Sequence, residues 1–303
     1  MQNIGSFTIN DIHCGDSAEL LKQLPPECID LTVTSPPYDN LRKYKGFTFD
    51  FETIASQLYR VTKSGGVVVW VVGDATVNGS ETGTSFKQAL FFKECGFNLH
   101  DTMIFFKKNP PPQNHNRYEQ SFEYMFVLSK GKPKTFNVIM ERSLYIGSKK
   151  NRALENKSSI DAGSISRQRN EKTIVKEYKP KKNVFEYAVG ISDEVETKNH
   201  TAPFPENLPK DHILSWSNEG DIVLDCFSGS GTTLKMAKML NRNYIGFEIS
   251  QEYCDIAKQR IDGVKSAQQS VHLTGGILRR QQALSTPEQL PLGGFDTTPA
   301  ASR

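Results

Sequence analysis

The sequence predicts an α/β protein built on a mostly parallel sheet with helices on both faces, and three observations predict it. Short apolar strands alternate with helical stretches along most of the chain, the pattern that closes parallel sheets through crossover helices. GVVVWVVG (66–73) is a continuous β-branched run, typical of a strand buried on both faces. A basic segment without periodicity separates two such blocks, so it reads as an excursion from one sheet rather than a core of its own.

The elements follow in order. Residues 7–15 and 30–35 read as strands, with a helix from about Ser17 to Leu24 between them. A helix from about Phe51 to Thr62 is closed by Gly65–Gly66 as a stop signal, and the strand 66–73 follows. Residues 85–95 read as a helix ending at Gly96, and 98–107 and 123–129 as a hairpin-like pair of strands. From Gly131 to His200 the pattern is lost. Order returns with PENLPKDHILSW (205–216), the strand DIVLDCF (221–227), a helix to about Asn241, the strand YIGFEI (244–249) and a helix from Gln251 to Ile261. After Gly263 no sustained pattern remains, and the tail reads as mobile.

The totals exclude several classes. A chain of 303 residues, 37% hydrophobic and 23% charged, fits an ordinary globular protein. No apolar run approaches the ~18 residues that mark a membrane span, and the N-terminus lacks the pattern of a signal peptide. Five scattered cysteines without a CxxC pair point to reduced thiols in a cytoplasm and away from a zinc site or disulfide frame. His13, His100, His115, His200 and His212 have no metal-ligand spacing, so no metal is expected. The net charge of +3 hides an asymmetry: residues 131–182 hold 14 Lys and Arg against 5 Asp and Glu, a surplus of +9 that leaves −6 elsewhere. Such a block is the footprint of a polyanion partner or a solvated insertion.

Two stretches carry chemistry. DIVLDCFSGSGTTLKMAKML (221–240) is a strand, a glycine turn and a helix start. Gly229 and Gly231 permit close approach of a ligand to the backbone, and Thr232 and Thr233 open a helix whose first N–H groups face the turn. No Lys follows Gly231 as a P-loop requires, and Leu234 replaces the third glycine of a dinucleotide fingerprint. Asp225 before the turn would repel a pyrophosphate but suits a cationic amine. Glu248, about twenty residues on, stands where a carboxylate accepts ribose hydroxyls. An adenosyl ligand carrying an amino acid, S-adenosylmethionine, fits both; a plain strand–turn–helix is the alternative. The second stretch, TSPPY (34–38), ends a strand in two prolines, which fix φ, remove two donors and leave carbonyls free to accept hydrogen bonds.

Together these stretches resemble the β class of amino-group DNA methyltransferases. TSPPY resembles the catalytic [DNS]PP[YF] motif, DCFSGSGTT (225–233) the cofactor motif, HTAPFPENLP (200–209) the element before the cofactor strand, and CGD (14–16) the acidic element near the adenine. The catalytic motif comes first and the cofactor motif last, the permuted order of that class. RYEQSFEYMFVLSK (117–130) and NVFEY (183–187) sit where the family enters and leaves its target-recognition region. The resemblance implies a Rossmann-like S-adenosylmethionine-dependent methyltransferase sheet with an inserted basic region. It divides the chain into a catalytic half (1–130), the insertion (131–199), a cofactor-binding half (200–262) and the tail (263–303).

It also implies roles. Ser35, Pro36, Pro37 and Tyr38 form the catalytic corner. Asp16, Thr34, Phe204, Asp225, Phe227, Ser228, Gly229, Gly231, Thr232, Thr233 and Glu248 surround the cofactor. Lys149, Lys150, Arg152, Arg167, Arg169, Lys181 and Lys182 contact double-stranded DNA. The target base must be flipped out, which costs a few kcal/mol; stacking on Tyr38 returns roughly 1–3 kcal/mol, and phosphate contacts supply the rest. C5-cytosine methylation is set aside because none of the cysteines follows a proline. In the resembling family SPPY usually accompanies N4-cytosine and DPPY N6-adenine methylation, which favours N4-cytosine with N6-adenine as the alternative. An RNA or protein-amide methyltransferase and an idle DNA-binding relative are the remaining readings. A prokaryotic or phage source, a monomer or homodimer, and a restriction endonuclease acting at the same site are the associated expectations.

Overall fold

The computed structural model describes residues 2–37, 49–110, 117–147, 149–152, 171–189 and 205–264, with backbone only for 149–152 and 171–173. Strands β1 (Asn3–Ile4) and β2 (Phe7–Thr8) pair as a small ribbon, and β3 (Asp11–Cys14) then enters the main sheet. The sequence suggests one strand over 7–15. Asn10 divides it, turning the chain with a left-handed φ of 66°. Helix α1 (Ser17–Gln23) is capped by Asp16, whose carboxylate accepts from the Ala18 and Glu19 amides at 2.9 and 3.2 Å. Two of the otherwise orphaned amides are thereby satisfied.

Strand β4 (Ile29–Thr34) is buried throughout. Helix α2 (Phe51–Val61), capped by Asp50, buries Ile54, Ala55, Leu58 and Val61, one stripe at helical spacing. Strand β5 (Thr62–Val72) begins directly at the helix end. Gly65 and Gly66 therefore do not stop the helix; they lie inside the strand, Gly65 at φ 75°, where its register against β4 shifts. The helix stops at Thr62, whose hydroxyl donates to the Leu58 carbonyl at 2.6 Å. The small ribbon β6 (Thr76–Val77) and β7 (Ser80–Glu81) precedes α3 (Thr84–Glu94), and β8 (Asn98–Lys107) and β9 (Phe122–Ser129) form the expected antiparallel pair.

In the basic region β10 (Met140–Arg142) pairs with β13 (Tyr178–Pro180), and β11 (Lys149–Arg152) with β12 (Glu171–Ile174), both antiparallel. These ribbons correct the expectation of an aperiodic stretch. Strand β14 (Val184–Tyr187) leaves the ribbons and joins the main sheet beside β8. Helix α4 (Asn207–Trp216), β15 (Ile222–Asp225), α5 (Thr232–Met239), β16 (Asn243–Glu248) and α6 (Gln251–Asp262) complete the described chain.

The main sheet has eight strands in the order β14-β8-β9-β5-β4-β15-β16-β3. Its neighbours are parallel except around β9, which runs against both β5 and β8. Side chains of β5 alternate between two cores. Val68, Trp70 and Val72 meet Leu21, Leu58 and Phe92 of α1–α3 on one face. Val67, Val69 and Val71 share the other face with Ile213, Leu234 and Ala257 of α4–α6. Among the described residues no helix is long and apolar enough to cross a membrane.

Opposite the carboxyl ends of the strands, Asp30 is almost wholly buried and joins three parts of the chain. It accepts from Lys63 at 2.7 Å, from Lys134 at 2.6 Å and from the Ile222 amide at 3.0 Å. Burial raises the carboxyl's pKa, but the Ile222 amide, Lys134 and Lys63 outweigh it and hold it below the ordinary 3.8. Ionised Asp30 therefore contributes stability above the ordinary carboxylate range, and the contribution is lost as pH falls through the lower folded value. Asp30→Asn is expected to cost about 1–3 kcal/mol at neutral pH. Urea melts from neutral to acidic pH check it: the deficit should shrink toward the acid end, and an unchanged deficit would contradict the ionic role.

Candidate functional site

The central strands β4 and β15 are hydrogen-bonded neighbours, and their carboxyl ends lead in opposite directions. The chain after β4 reaches α2 on one face, and the chain after β15 reaches α5 on the other. A crevice opens at such a switch point, where parallel α/β sheets hold their ligands. Thr34, Ser35, Pro36 and Pro37 leave one strand there, and Asp225 through Gly231 leave the other.

One hydrogen bond ties the two ends: the Thr34 hydroxyl donates to Asp225 Oδ1 at 2.7 Å. The same oxygen accepts from the Phe227 amide at 3.1 Å. The other oxygen, Oδ2, is buried without a hydrogen-bond partner among the described residues. Burial pushes the carboxyl up to about 6, against the hydrogen bonds from Thr34 and the Phe227 amide, with the Glu248 charge adding to the rise. A buried carboxylate oxygen left open in this way is costly, and a cationic amine is the group that would satisfy it.

The glycine turn is fixed from several sides. The Ser228 amide donates to the Phe247 carbonyl at 2.9 Å and its hydroxyl to the Asp225 carbonyl at 2.8 Å. The Gly231 amide closes the turn on the Ser228 carbonyl at 2.7 Å. Thr233 donates to the Val33 carbonyl at 3.3 Å, a second link between β4 and the turn. Glu248 ends β16 with Oε2 on the Gly229 amide and Oε1 on the Ser250 amide, both at 2.9 Å. Burial raises its pKa against these amides. Each oxygen keeps a lone pair for a further donor, and ribose hydroxyls suit it. Asp16 lies after β3, next to β16 in the sheet. Ser17 beside it donates to the Cys226 carbonyl, so a third strand end is fastened to the same corner.

Of the expected catalytic corner, Ser35 and Pro37 are half-buried and Pro36 is buried. Tyr38 lies outside the described residues, as do Phe204, His200, Arg167 and Arg169. Phe227 packs edge-on against Phe49 at 5.6 Å. Cys226 adjoins the corner, but burial and then the Asp225 charge raise its thiol far above its ordinary value, so it offers no thiolate nucleophile. Lys149, Lys150 and Arg152 lie on β11 of the inserted ribbon. Lys182 is exposed. Lys181 is not left to solvent: its ammonium meets Asp211 at 3.4 Å and stands 3.7 Å from the Phe185 ring centroid.

Comparisons with known proteins meet this geometry. The model of a DNA methylase family matches residues 29–259. The chain belongs to the N6/N4 DNA methylase family. It is a β-class amino-group DNA methyltransferase that uses S-adenosylmethionine. The orphan methyltransferase M.BamHII of Bacillus amyloliquefaciens is 54% identical over 236 residues, covering 77% of this chain and 88% of the relative. The structure of the cytosine-N4-specific PvuII DNA methyltransferase shares the fold, with a TM-score of 0.62 at 20% identity over 88% of this chain and 94% of that one. The complex of M1.HpyAVI with S-adenosylmethionine has a TM-score of 0.55 at 25% identity, covering 83% of this chain and 98% of that one.

Gly231 is tightly enclosed in the turn of this methyltransferase. Its φ is 79°, and a Cβ there would lie 2.8 Å from the Ala257 Cβ. Gly231→Ala is therefore expected to cost about 1–3 kcal/mol through strain and overpacking. Thermal melts against the parent measure it, and an unchanged midpoint would show that α6 yields without cost.

Proposed function

We propose that this enzyme transfers the methyl group to the N4 amino nitrogen of cytosine in duplex DNA, with Ser35 and the Pro36 carbonyl as acceptors for the two amino hydrogens. The observation that supports this most is the tie between Thr34 and Asp225, which sets the corner carrying Ser35 against the turn assigned to the cofactor. Bound S-adenosylmethionine would supply an electrophilic methyl group, with its sulfur keeping the electron pair of the broken C–S bond and the methylated nitrogen releasing one proton to solvent. The residues do the rest. Asp225 Oδ2 would hold the cofactor's ammonium, Glu248 its ribose hydroxyls and Asp16 its adenine side, while Thr34, Phe204, Phe227 and Ser228–Thr233 enclose it.

The exocyclic amino nitrogen is a weak nucleophile because its lone pair is delocalised into the ring. Acceptors for both hydrogens localise that pair and aim it at the methyl carbon. Pro36 and Pro37 hold the acceptors without reorganisation, the electrostatic term that dominates many enzymes. Tyr38 stacks on the flipped base. No covalent enzyme intermediate is needed. A serine acceptor favours cytosine by the family tendency alone; the mechanism serves N6-adenine equally well. Lys149, Lys150, Arg152, Arg167, Arg169 and Lys182 provide the phosphate contacts that offset the remaining flipping cost, and residues 131–199 act as the recognition region. The name of the 54% identical relative includes the word orphan, which supports an enzyme working without a paired endonuclease.

Two outcomes test this reading. Methylated duplex DNA digested to nucleosides should yield N4-methylcytosine by mass spectrometry, and Ser35→Ala should depress that yield while cofactor affinity stays near the parent's; N6-methyladenine as product would overturn the base assignment. Cofactor affinity should hold above pH of about 6 and fall by up to about tenfold per pH unit below it as Asp225 takes a proton. Calorimetric titrations across pH check it, and a profile as steep in Asp225→Asn would remove Asp225 from that role.

A further inference from the structure

Beneath the glycine turn lies a buried charge cluster that none of these roles uses. Arg260 projects from α6, and only 3% of its side chain is exposed. Its Nη1 donates to the Ser230 carbonyl at 2.5 Å, the Ser230 hydroxyl at 2.9 Å and the Thr232 hydroxyl at 3.4 Å. Its Nη2 meets Glu206 Oε1 at 3.4 Å. Lys235 of α5, itself buried, meets the same Glu206 oxygen at 2.7 Å. Glu206 stands immediately before α4. One guanidinium therefore joins the turn to the starts of two helices, and two cations share one carboxylate.

The location gives the cluster a purpose. Ser230 sits between Gly229 and Gly231, both at positive φ, where glycine itself imposes little restraint and the turn depends on its hydrogen bonds. Its backbone must nevertheless stay fixed for its amides to meet a ligand. A planar guanidinium with donors in a rigid fork fixes neighbouring acceptors better than a single ammonium does. Burying it costs several kcal/mol unless it is paired, and a simple packing role would be met more cheaply by an apolar side chain.

We propose that Arg260 is a positioning residue for the cofactor turn, with Glu206 as its counter-ion; this rests on assigning the Asp225–Thr233 turn to S-adenosylmethionine. The test compares Arg260→Met, Arg260→Lys, Glu206→Gln and Asp225→Asn for KM of S-adenosylmethionine, kcat at saturating cofactor, and affinity for duplex DNA without cofactor. Arg260→Met should raise KM by about ten- to a hundredfold, with kcat and DNA affinity within about threefold of the parent. Arg260→Lys should recover part of that loss, and Glu206→Gln should raise KM by less. An Arg260→Met enzyme with parental KM, or one losing kcat, DNA affinity and cofactor affinity together, overturns the proposal. Should Arg260→Met fail to fold, Glu206→Gln decides: a raised KM supports the proposal and a parental KM overturns it. Parental cofactor affinity in Asp225→Asn overturns the underlying turn assignment instead, so the two failures read differently.

Discussion

The hydrogen bond from Thr34 to Asp225 is the constraint on which the site depends. It closes a separation of 191 residues at 2.7 Å and brings together the carboxyl ends of two strands whose chains then part. A buried carboxylate tolerates few arrangements, because each missing partner costs free energy. With Thr34 and the Phe227 amide on one oxygen, the other is aimed where only a donor or a cation stabilises it. The corner after β4 and the turn after β15 cannot shift independently while this bond holds. The Thr233 link to the Val33 carbonyl and the Ser17 link to the Cys226 carbonyl act in the same sense.

The chemistry we propose on this constraint is electrostatic rather than covalent. Cys226 is close but held as a thiol by burial. The donors and acceptors of the corner belong to prolines, backbone amides and hydroxyls fixed by other parts of the fold, so little reorganisation accompanies charge movement. The surplus of +9 in residues 131–182 lies apart in sequence from Asp225 and Glu248. One chain thus carries carboxylates suited to a cation and a segment whose charge suits a polyanion.

Much of this was legible in the sequence, for identifiable reasons. The run around Trp70, the stripe of α2 and the strand–turn–helix at Asp225 are local patterns, and each element formed where its pattern lies. Errors arose where a local signal had a second meaning. Gly65–Gly66 reads as a helix stop but serves a register shift inside β5, and Asn10 divides a run that looks continuous. The β10–β13 ribbon offers little pattern to reveal it, since none of its side chains is fully buried. Lys181 counts as surface charge in a linear reading, yet Asp211 and Phe185 claim it from elsewhere in the chain. Arg260 did carry a signal: it lies among Cys254, Ala257 and Ile261 on the buried stripe of α6, where a charge needs a reason.

The central place of β4 has a consequence for biosynthesis. One edge of β4 pairs with β5, made soon after it, but the other waits for β15. At translation speeds of ~5–20 residues per second, the 191 residues that separate Thr34 from Asp225 take roughly 10–40 s to appear. Throughout that interval a strand destined for full burial keeps an open edge on the ribosome, a template for unwanted pairing. Permuted motif order therefore makes the nascent protein inert and vulnerable together. It acquires its active corner only after β15 and the turn that follows it have been made.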